Sequence, residues 1–313
     1  MSRAIPIAGR RVLVTGASGF YGMNLLAKLV SSGAVVACAS RSVPRCNVAA
    51  EWSVDWSQVD LSEPIRTAEL FKKFSPEIVV HLTSASLGGP EIDNVGASVG
   101  SDLLPTLNIL EAAARFETVR VIIPCSMEEP LPVVDPEGEI AIPETPYAMS
   151  KLVCNLYGRF FREKYSVPVV LLRCFMTYGP HQKSRKVIPY VINSLLKGQA
   201  PRLSAGTRMI DWIYVDDVVS AFLAAAVIDD IPGRALEIGT GTLTSLHDVV
   251  TMIHRLMGGP EPVFENVGAP GRERVSRIDL TSKLLKWAPR VTLEEGLTRT
   301  INYYTQANDS IAP

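Results

Sequence analysis

Arg11-Val12-Leu13-Val14-Thr15-Gly16-Ala17-Ser18-Gly19-Phe20-Tyr21-Gly22 is the stretch on which the fold turns. Its first five residues form a short β-branched run, the pattern of a buried strand. From Phe20 to Val30 the apolar residues Phe20, Leu25, Leu26 and Leu29 recur at helical spacing, and Ser31-Ser32-Gly33 ends the run. The glycines therefore lie between a strand and a helix. Bare backbone there lets a phosphate approach, and the helix N-terminus supplies free N–H groups and the positive end of its dipole. The spacing is Gly-x-x-Gly-x-x-Gly rather than Gly-x-Gly-x-x-Gly, so a plain tight turn competes with a dinucleotide cradle. The flanking strand and helix favour the cradle, with Gly16, Ser18, Gly19, Phe20, Tyr21 and Gly22 as its residues.

Outward from the loop, Ala34 to Ala39 reads as a second strand, which should end beside an adenosine ribose. An acidic residue there would suit NAD, but the chain reads Ser40-Arg41-Ser42. Arg41 offers a planar fork for a 2′-phosphate and Ser42 a hydroxyl, which favours NADP and leaves NAD as the alternative. A third strand is expected around Ser53–Trp56, followed by Val59-Asp60-Leu61. Asp60 is placed either to accept from an adenine amino group or to start the helix at Ser62.

Val119 to Pro124 reads as a buried strand, with Cys125-Ser126-Met127-Glu128-Glu129 past its end, where ligands bind in an open parallel sheet. Tyr147-Ala148-Met149-Ser150-Lys151 comes next, after five expected strands. Four residues apart on one helix places both side chains on one face. A phenol titrates near ~10 in water, and a nearby ammonium favours phenolate. Thr145 and Pro146 mark the helix start. Ser126 is in position to hydrogen-bond a reacting hydroxyl while Tyr147 moves its proton. The two glutamates, taken alone, read as a solvated loop.

On these motifs the chain resembles the extended short-chain dehydrogenase/reductase family, the nucleotide-sugar epimerases and dehydratases. The likeness also takes in Val79 to Ser84, Thr106 to Ala113, Arg173 to Pro180, Asp211 to Val218 and Thr292 to Leu297. It implies an α/β fold: a doubly wound parallel Rossmann sheet with a smaller C-terminal substrate-binding α/β part. Residues 1–177 would bind NAD(P), with the chain returning around 211–240, and residues 178–210 and 241–313 would bind substrate. Besides the loop, the resemblance assigns Arg41, Ser42, Asp60, Leu61, Leu82, Thr83, Tyr147 and Lys151 to the cofactor. It assigns Ser84, Met127, Met176, Arg208 and Arg272 to a nucleoside-diphosphate sugar.

The implied reaction opens with oxidation at sugar C4, and the subfamilies then diverge. Ser126-Met127-Glu128 is similar to the dehydratase arrangement, with Ser126, Glu128, Tyr147 and Lys151 as catalytic residues and Glu128 as the C5 base. A C4 epimerase or a 4-ketoreductase is the alternative. Met127 departs from the pattern, because a thioether has no proton to give. Met176 stands at a common asparagine, Ile210 at a common arginine, and Asp102 at a helix asparagine behind the lysine. The resemblance also implies a homodimer, paired through the long helices expected at Ala97–Phe116 and Pro146–Tyr165.

Composition agrees. At 313 residues one large or two intimate domains are expected. With 31 basic and 32 acidic residues, nothing suggests a nucleic-acid surface. Five scattered cysteines show no metal-ligand spacing, so reduced thiols in a cytoplasmic enzyme without a metal are expected. No signal peptide or membrane-length apolar run is read. His81 is read as structural, and His181 as a loop histidine.

Overall fold

The computed structural model describes residues 7–42, 52, 54–85, 89–116, 118–130, 138–139, 141–204, 206–227, 233–265 and 273–309. Strand β1 (Arg11–Thr15) runs into the glycine loop and helix α1 (Phe20–Ser31). β2 (Val35–Ser40), β3 (Asp55–Gln58) and α2 (Pro64–Phe74) follow. β4 (Ile78–His81) leads to a long helical segment in three parts: α3 (Asp93–Ser98), a π-helical turn (Val99–Leu103) and α4 (Leu104–Arg115). β5 (Arg120–Ser126), α5 (Pro146–Tyr165) and β6 (Val169–Cys174) come next.

These strands and β10 (Leu236–Ile238) form one parallel sheet in the order β10-β6-β5-β4-β1-β2-β3. The order reverses between β1 and β4, so the ligand crevice of a doubly wound sheet opens beside Gly16.

Side-chain alternation builds a core on each face. Val12, Val14, Val36, Cys38, Ile122, Val170 and Leu172 pack on one side with Leu25, Leu26 and Leu29 of α1. Val218, Phe222 and Ala225 of helix α7 (Val215–Val227) complete that layer. Leu13, Ala37, Val79, Val121, Ile123 and Leu171 point the other way, onto Phe71 of α2, Ile109 and Leu110 of α4 and Phe161 of α5. Strands buried on both faces explain the continuous apolar runs in the sequence.

Away from this sheet, β7 (Met176–Tyr178), β9 (Met209–Tyr214) and β11 (Leu243–Ser245) form a second one, ordered β11-β9-β7. β8 (Arg202–Leu203) pairs with β12 (Val263–Phe264). Helices α6 (Val187–Leu196), α8 (Leu246–Met257), α9 (Asp279–Leu285) and α10 (Leu293–Asp309) surround these strands. The buried Asp211 carboxylate gathers three chain segments, accepting from Thr240 N and Oγ1, Gly241 N, and Ser276 N and Oγ at 2.6–3.1 Å. No helix of the described residues is long and apolar enough to cross a membrane.

Candidate active site

The glycine loop leaves β1 with Gly16 at φ +62°, and a Cβ there would sit 2.7 Å from Leu82 C and O and from Thr83 N. At Gly22 a Cβ would meet the Ala17 backbone within contact distance, so neither position has room for a side chain. Bare backbone therefore lies at the switch point between β1 and β4, and Leu82 and Thr83 line it from the β4 side. Such a cradle fits a dinucleotide pyrophosphate at the N-terminus of α1, whose cap, Gly19, has no side-chain partner of its own. Tyr21 is committed elsewhere: Thr177 Oγ1 donates to Phe175 O, so Tyr21 Oη donates to Thr177 at 2.8 Å and ties α1 to β7.

At the end of β2, Arg41 and Ser42 are exposed. Ser40 is buried, donating to Ser42 O at 2.6 Å and accepting from Trp56 Nε1 at 3.0 Å. Asp60 accepts from Ser62 N and Oγ at 2.9 and 2.8 Å. Those bonds, with Arg41 nearby, hold its carboxyl below the usual range. The helix it precedes begins at Pro64 rather than Ser62. Leu61 has its side chain in the core, and its carbonyl accepts from Thr67 and Asn108.

Cys125 and Ser126, expected past the end of the strand, are the last two residues of β5 and pair with Arg173 and Cys174 of β6. Ser126 Oγ accepts from Glu128 N at 3.1 Å and lies on the side of Tyr147 where it favours the phenolate. Tyr147 lies in the first turn of α5, which Thr145 caps by accepting from Ala148 N at 3.1 Å. Lys151 Nζ is 5.8 Å from the Tyr147 ring centroid. Burial pushes the Tyr147 phenol up to about 12, a rise that Lys151 opposes and that Asp102 and Glu128 add to.

Glu128 opens onto a cleft of about 1030 Å³ lined by Met127, Glu128, Arg208, Arg234, Arg274 and Arg277 among others. Burial raises its carboxyl above the usual range, against the pull of Lys186 and Arg208. Met176 on β7 is half-buried and is not among the residues lining this cleft, and Ser84 follows β4 in an irregular segment. Arg272 lies outside the described residues. Among the described residues no group of His, Cys, Asp and Glu is arranged to hold a metal ion.

Two residues escaped the sequence reading. Glu129 is not solvated but 1% exposed, and its carboxylate accepts from Ser126 N at 2.7 Å, Asn155 Nδ2 at 2.9 Å and Arg173 Nη2 at 3.0 Å. Arg274 donates to Met127 O at 2.7 Å and Glu129 O at 2.8 Å and pairs with Glu237 at 3.1 Å. The turn that carries Glu128 is thus clamped from both sides. The available signal was Arg173 itself, a charge inside the buried run of β6 that requires an acid opposite it. His181 Nδ1 lies 3.0 Å from Tyr303 Oη and ties its loop to α10. Cys125 is buried with its thiol pushed well up by desolvation, so it is not a reactive nucleophile.

A glycine cradle at the switch point of a doubly wound sheet, with a Tyr/Lys pair and a serine at the end of β5, is the layout of an extended short-chain dehydrogenase/reductase. The chain belongs to the NAD dependent epimerase/dehydratase family, whose profile matches residues 12–239. It is 27% identical to a probable dTDP-glucose 4,6-dehydratase of Sinorhizobium fredii, covering 95% of this chain and 93% of that one. It is 28% identical to a UDP-glucose 4-epimerase of Mycolicibacterium smegmatis, covering 94% and 98%. Its fold superposes with a TM-score of 0.83 on MoeE5 solved with UDP-glucose and NAD, at 26% identity over 95% of this chain and 99% of that one.

Proposed function

We propose that this protein is a nucleotide-sugar dehydratase that oxidises C4, removes the C5 proton and expels water. The reading rests on one observation: the exposed Glu128 side chain lines the cleft while its own backbone N–H is bonded to Ser126, at the end of β5 beside Tyr147. The dinucleotide, when bound along Gly16–Gly22 and Leu82–Thr83, supplies the hydride acceptor and, oxidised, a positive charge that favours phenolate. Tyr147 exchanges the C4 hydroxyl proton, Ser126 hydrogen-bonds that oxygen, and Lys151 supports the phenolate. Glu128 takes the C5 proton and hands it to the departing C6 hydroxyl, which leaves as water; the hydride returns at C6 while a proton from solvent re-adds at C5, so the net change is the loss of one water. Arg208, with Arg234 and Arg277 of the cleft, holds the diphosphate, with residues up to 177 and around 211–240 binding the dinucleotide and the remainder clamping the nucleotide.

Replacing Glu128 by Gln should abolish deuterium exchange at C5, a fall of about 100-fold or more, while C4 oxidation persists. As a base Glu128 must be ionised, so exchange should rise with pH through a limb lying above the ordinary carboxylate value of ~4.3. Loss of both steps in the variant would remove Glu128 from this role. Met127 favours the second reading, a C4 epimerase or 4-ketoreductase, in which Glu128 is idle. Mass spectrometry of UDP-, dTDP-, GDP- and CDP-hexose reactions in deuterated water separates the readings: a product lighter by one water supports dehydration, and an isomer supports epimerisation.

The family profile and the NAD-bound neighbour support NAD as the cofactor. Exposed Arg41, with no carboxylate ending β2, supports NADP. Arg41→Ala decides between them: a fall of roughly tenfold or more in NADP affinity with NAD unaffected identifies Arg41 as the 2′-phosphate contact. Equal binding of NADP by both proteins would exclude it.

The protein pairs as a homodimer through its long helices. Val95, Val99 and Leu104 along the α3–α4 segment, and Met149, Leu156, Tyr157 and Phe160 on α5, are exposed apolar side chains on adjacent helices. Sedimentation velocity should give twice the chain mass, and a monomer at micromolar concentration would reject the pairing.

A further inference from the structure

Lys151 and Asp102 form a buried ion pair. Nζ lies 3.2 Å from Oδ1, with side-chain exposures of 10% and 0%. Taking two charges out of water is costly, so such a pair beside a group that must exchange a proton calls for a physical role. Asp102 occupies the π-helical turn Val99–Leu103, an irregularity found most often where a helix serves a site.

The carboxylate is fixed in place. Asp102 Oδ2 accepts from Ser101 Oγ at 2.9 Å, and its backbone carbonyl accepts from Thr106 Oγ1 at 2.6 Å and Cys154 Sγ at 3.5 Å. These bonds also set a direction. The Thr106 hydroxyl proton is spent on Asp102 O, so Thr106 Oγ1 must accept from His81 Nε2 at 3.1 Å. His81 is therefore the Nε2–H tautomer, and its Nδ1 accepts from Thr15 Oγ1 at 2.8 Å. Burial holds this imidazole down to about 3, hence neutral. A single line of donors runs from Thr15, the residue before Gly16, to the main chain of Asp102.

Other ionisable groups surround the pair. Glu128 acts on Tyr147 from beyond β5, Tyr147 in turn acts on Tyr21 of α1, and Cys154 lies one turn along α5. Behind β5 the Glu129 carboxylate is matched by Arg173 at 3.0 Å. Among the described residues, Asp102 is the anion in contact with Lys151.

We propose that Asp102 is a positioning residue that acts through Lys151, anchoring the ammonium and offsetting its field at Tyr147, so that the cofactor-free Tyr147–Lys151 pair keeps both protons. Burial works against the Lys151 charge, but Asp102, with Tyr147, outweighs it and holds the ammonium above the ordinary lysine value. The phenol accordingly rests as a proton donor until a further positive charge offsets Asp102. This role rests on the reading of Tyr147 as the acid/base group. Whichever partner ionises first, a nearby negative charge makes that loss harder, so removing it must shift the first ionisation of the pair to lower pH.

The test uses the full-length, cofactor-free protein and needs no substrate. Tyrosinate absorbance, with Tyr147→Phe subtracted, follows the phenol, and lysine ε-carbon NMR, with Lys151→Met subtracted, follows the ammonium. In Asp102→Asn with an unchanged circular dichroism spectrum, the first proton should leave about one pH unit or more earlier, a tenfold or greater change in the ionisation constant. An unmoved first ionisation, or one moved upward, overturns the proposal. Should Asp102→Asn fail to fold, the wild type decides alone. A Lys151 signal still protonated at about pH 11 sustains the ion pair, and one titrating at or below the ordinary ~10.4 overturns it. Failure of the dehydratase reading would appear separately, as absent turnover with these titrations intact.

Discussion

Tyr147→Phe is expected to stop turnover while the protein folds and still binds dinucleotide. The phenol is half-buried, beside Ser126 and backed by Lys151, and in the proposed mechanism its hydroxyl is the group that exchanges a proton with substrate. Ser126 remains in the variant, but its hydroxyl already accepts from Glu128 N and has no adjacent base. Losing positioned acid–base transfer removes roughly 100- to 10,000-fold in rate. Reduced-nicotinamide absorbance after mixing with nucleotide hexose, together with product mass, measures both halves of the reaction. Wild-type rates in Tyr147→Phe would reject the mechanism as a whole, whereas loss of the C5 step alone would place the tyrosine elsewhere.

Gly16→Ala should unfold the parallel sheet around the glycine loop or leave it badly destabilised. Left-handed backbone at φ +62° costs an L-residue about 1–2 kcal/mol. The added Cβ would also sit 2.7 Å from Leu82 C and O and Thr83 N, and these are main-chain atoms that move only if β4 moves. Overpacking adds about 1–3 kcal/mol, which together lowers the melting temperature by roughly 5–15 °C. Gly19→Ala is the control: its Cβ would approach only Gly16 O, at 3.0 Å, on a backbone at φ −85°. Dinucleotide affinity and thermal unfolding should separate the two variants clearly. A Gly16→Ala protein that melts with the wild type would show that the loop relaxes and that the cradle is not rigid.

Local pattern carried much of the architecture. The buried strands β1, β2 and β5 read directly, because both faces of a parallel sheet are covered and leave unbroken apolar runs. Helix α5 read well for another reason: Thr145 and Pro146 are a cap and a first-turn proline, which act within four residues. Element ends were less legible. Ser126 was read as beyond β5 yet pairs within the sheet, since the end of a strand depends on how far its neighbour β6 extends. The interruption of the long helix by a π turn left no mark in the apolar spacing.

Glu128 and Glu129 show where pattern runs out. Adjacent and chemically alike, they read identically, but Glu128 is exposed while Glu129 is buried against Arg173 and Asn155, 44 and 26 residues away. Arg274 reaches Met127 across 147 residues. By itself the sequence determined the glycine cradle, the Tyr147–Lys151 spacing and the order of strands and helices, because these follow from steric and hydrogen-bonding rules acting within one element. Which charges are buried, and against what, was decided only by tertiary structure. Asp102 on Lys151, Glu129 on Arg173 and Arg274 on the Glu128 turn are each stable only because the fold removes water and brings the opposite group into the same small volume.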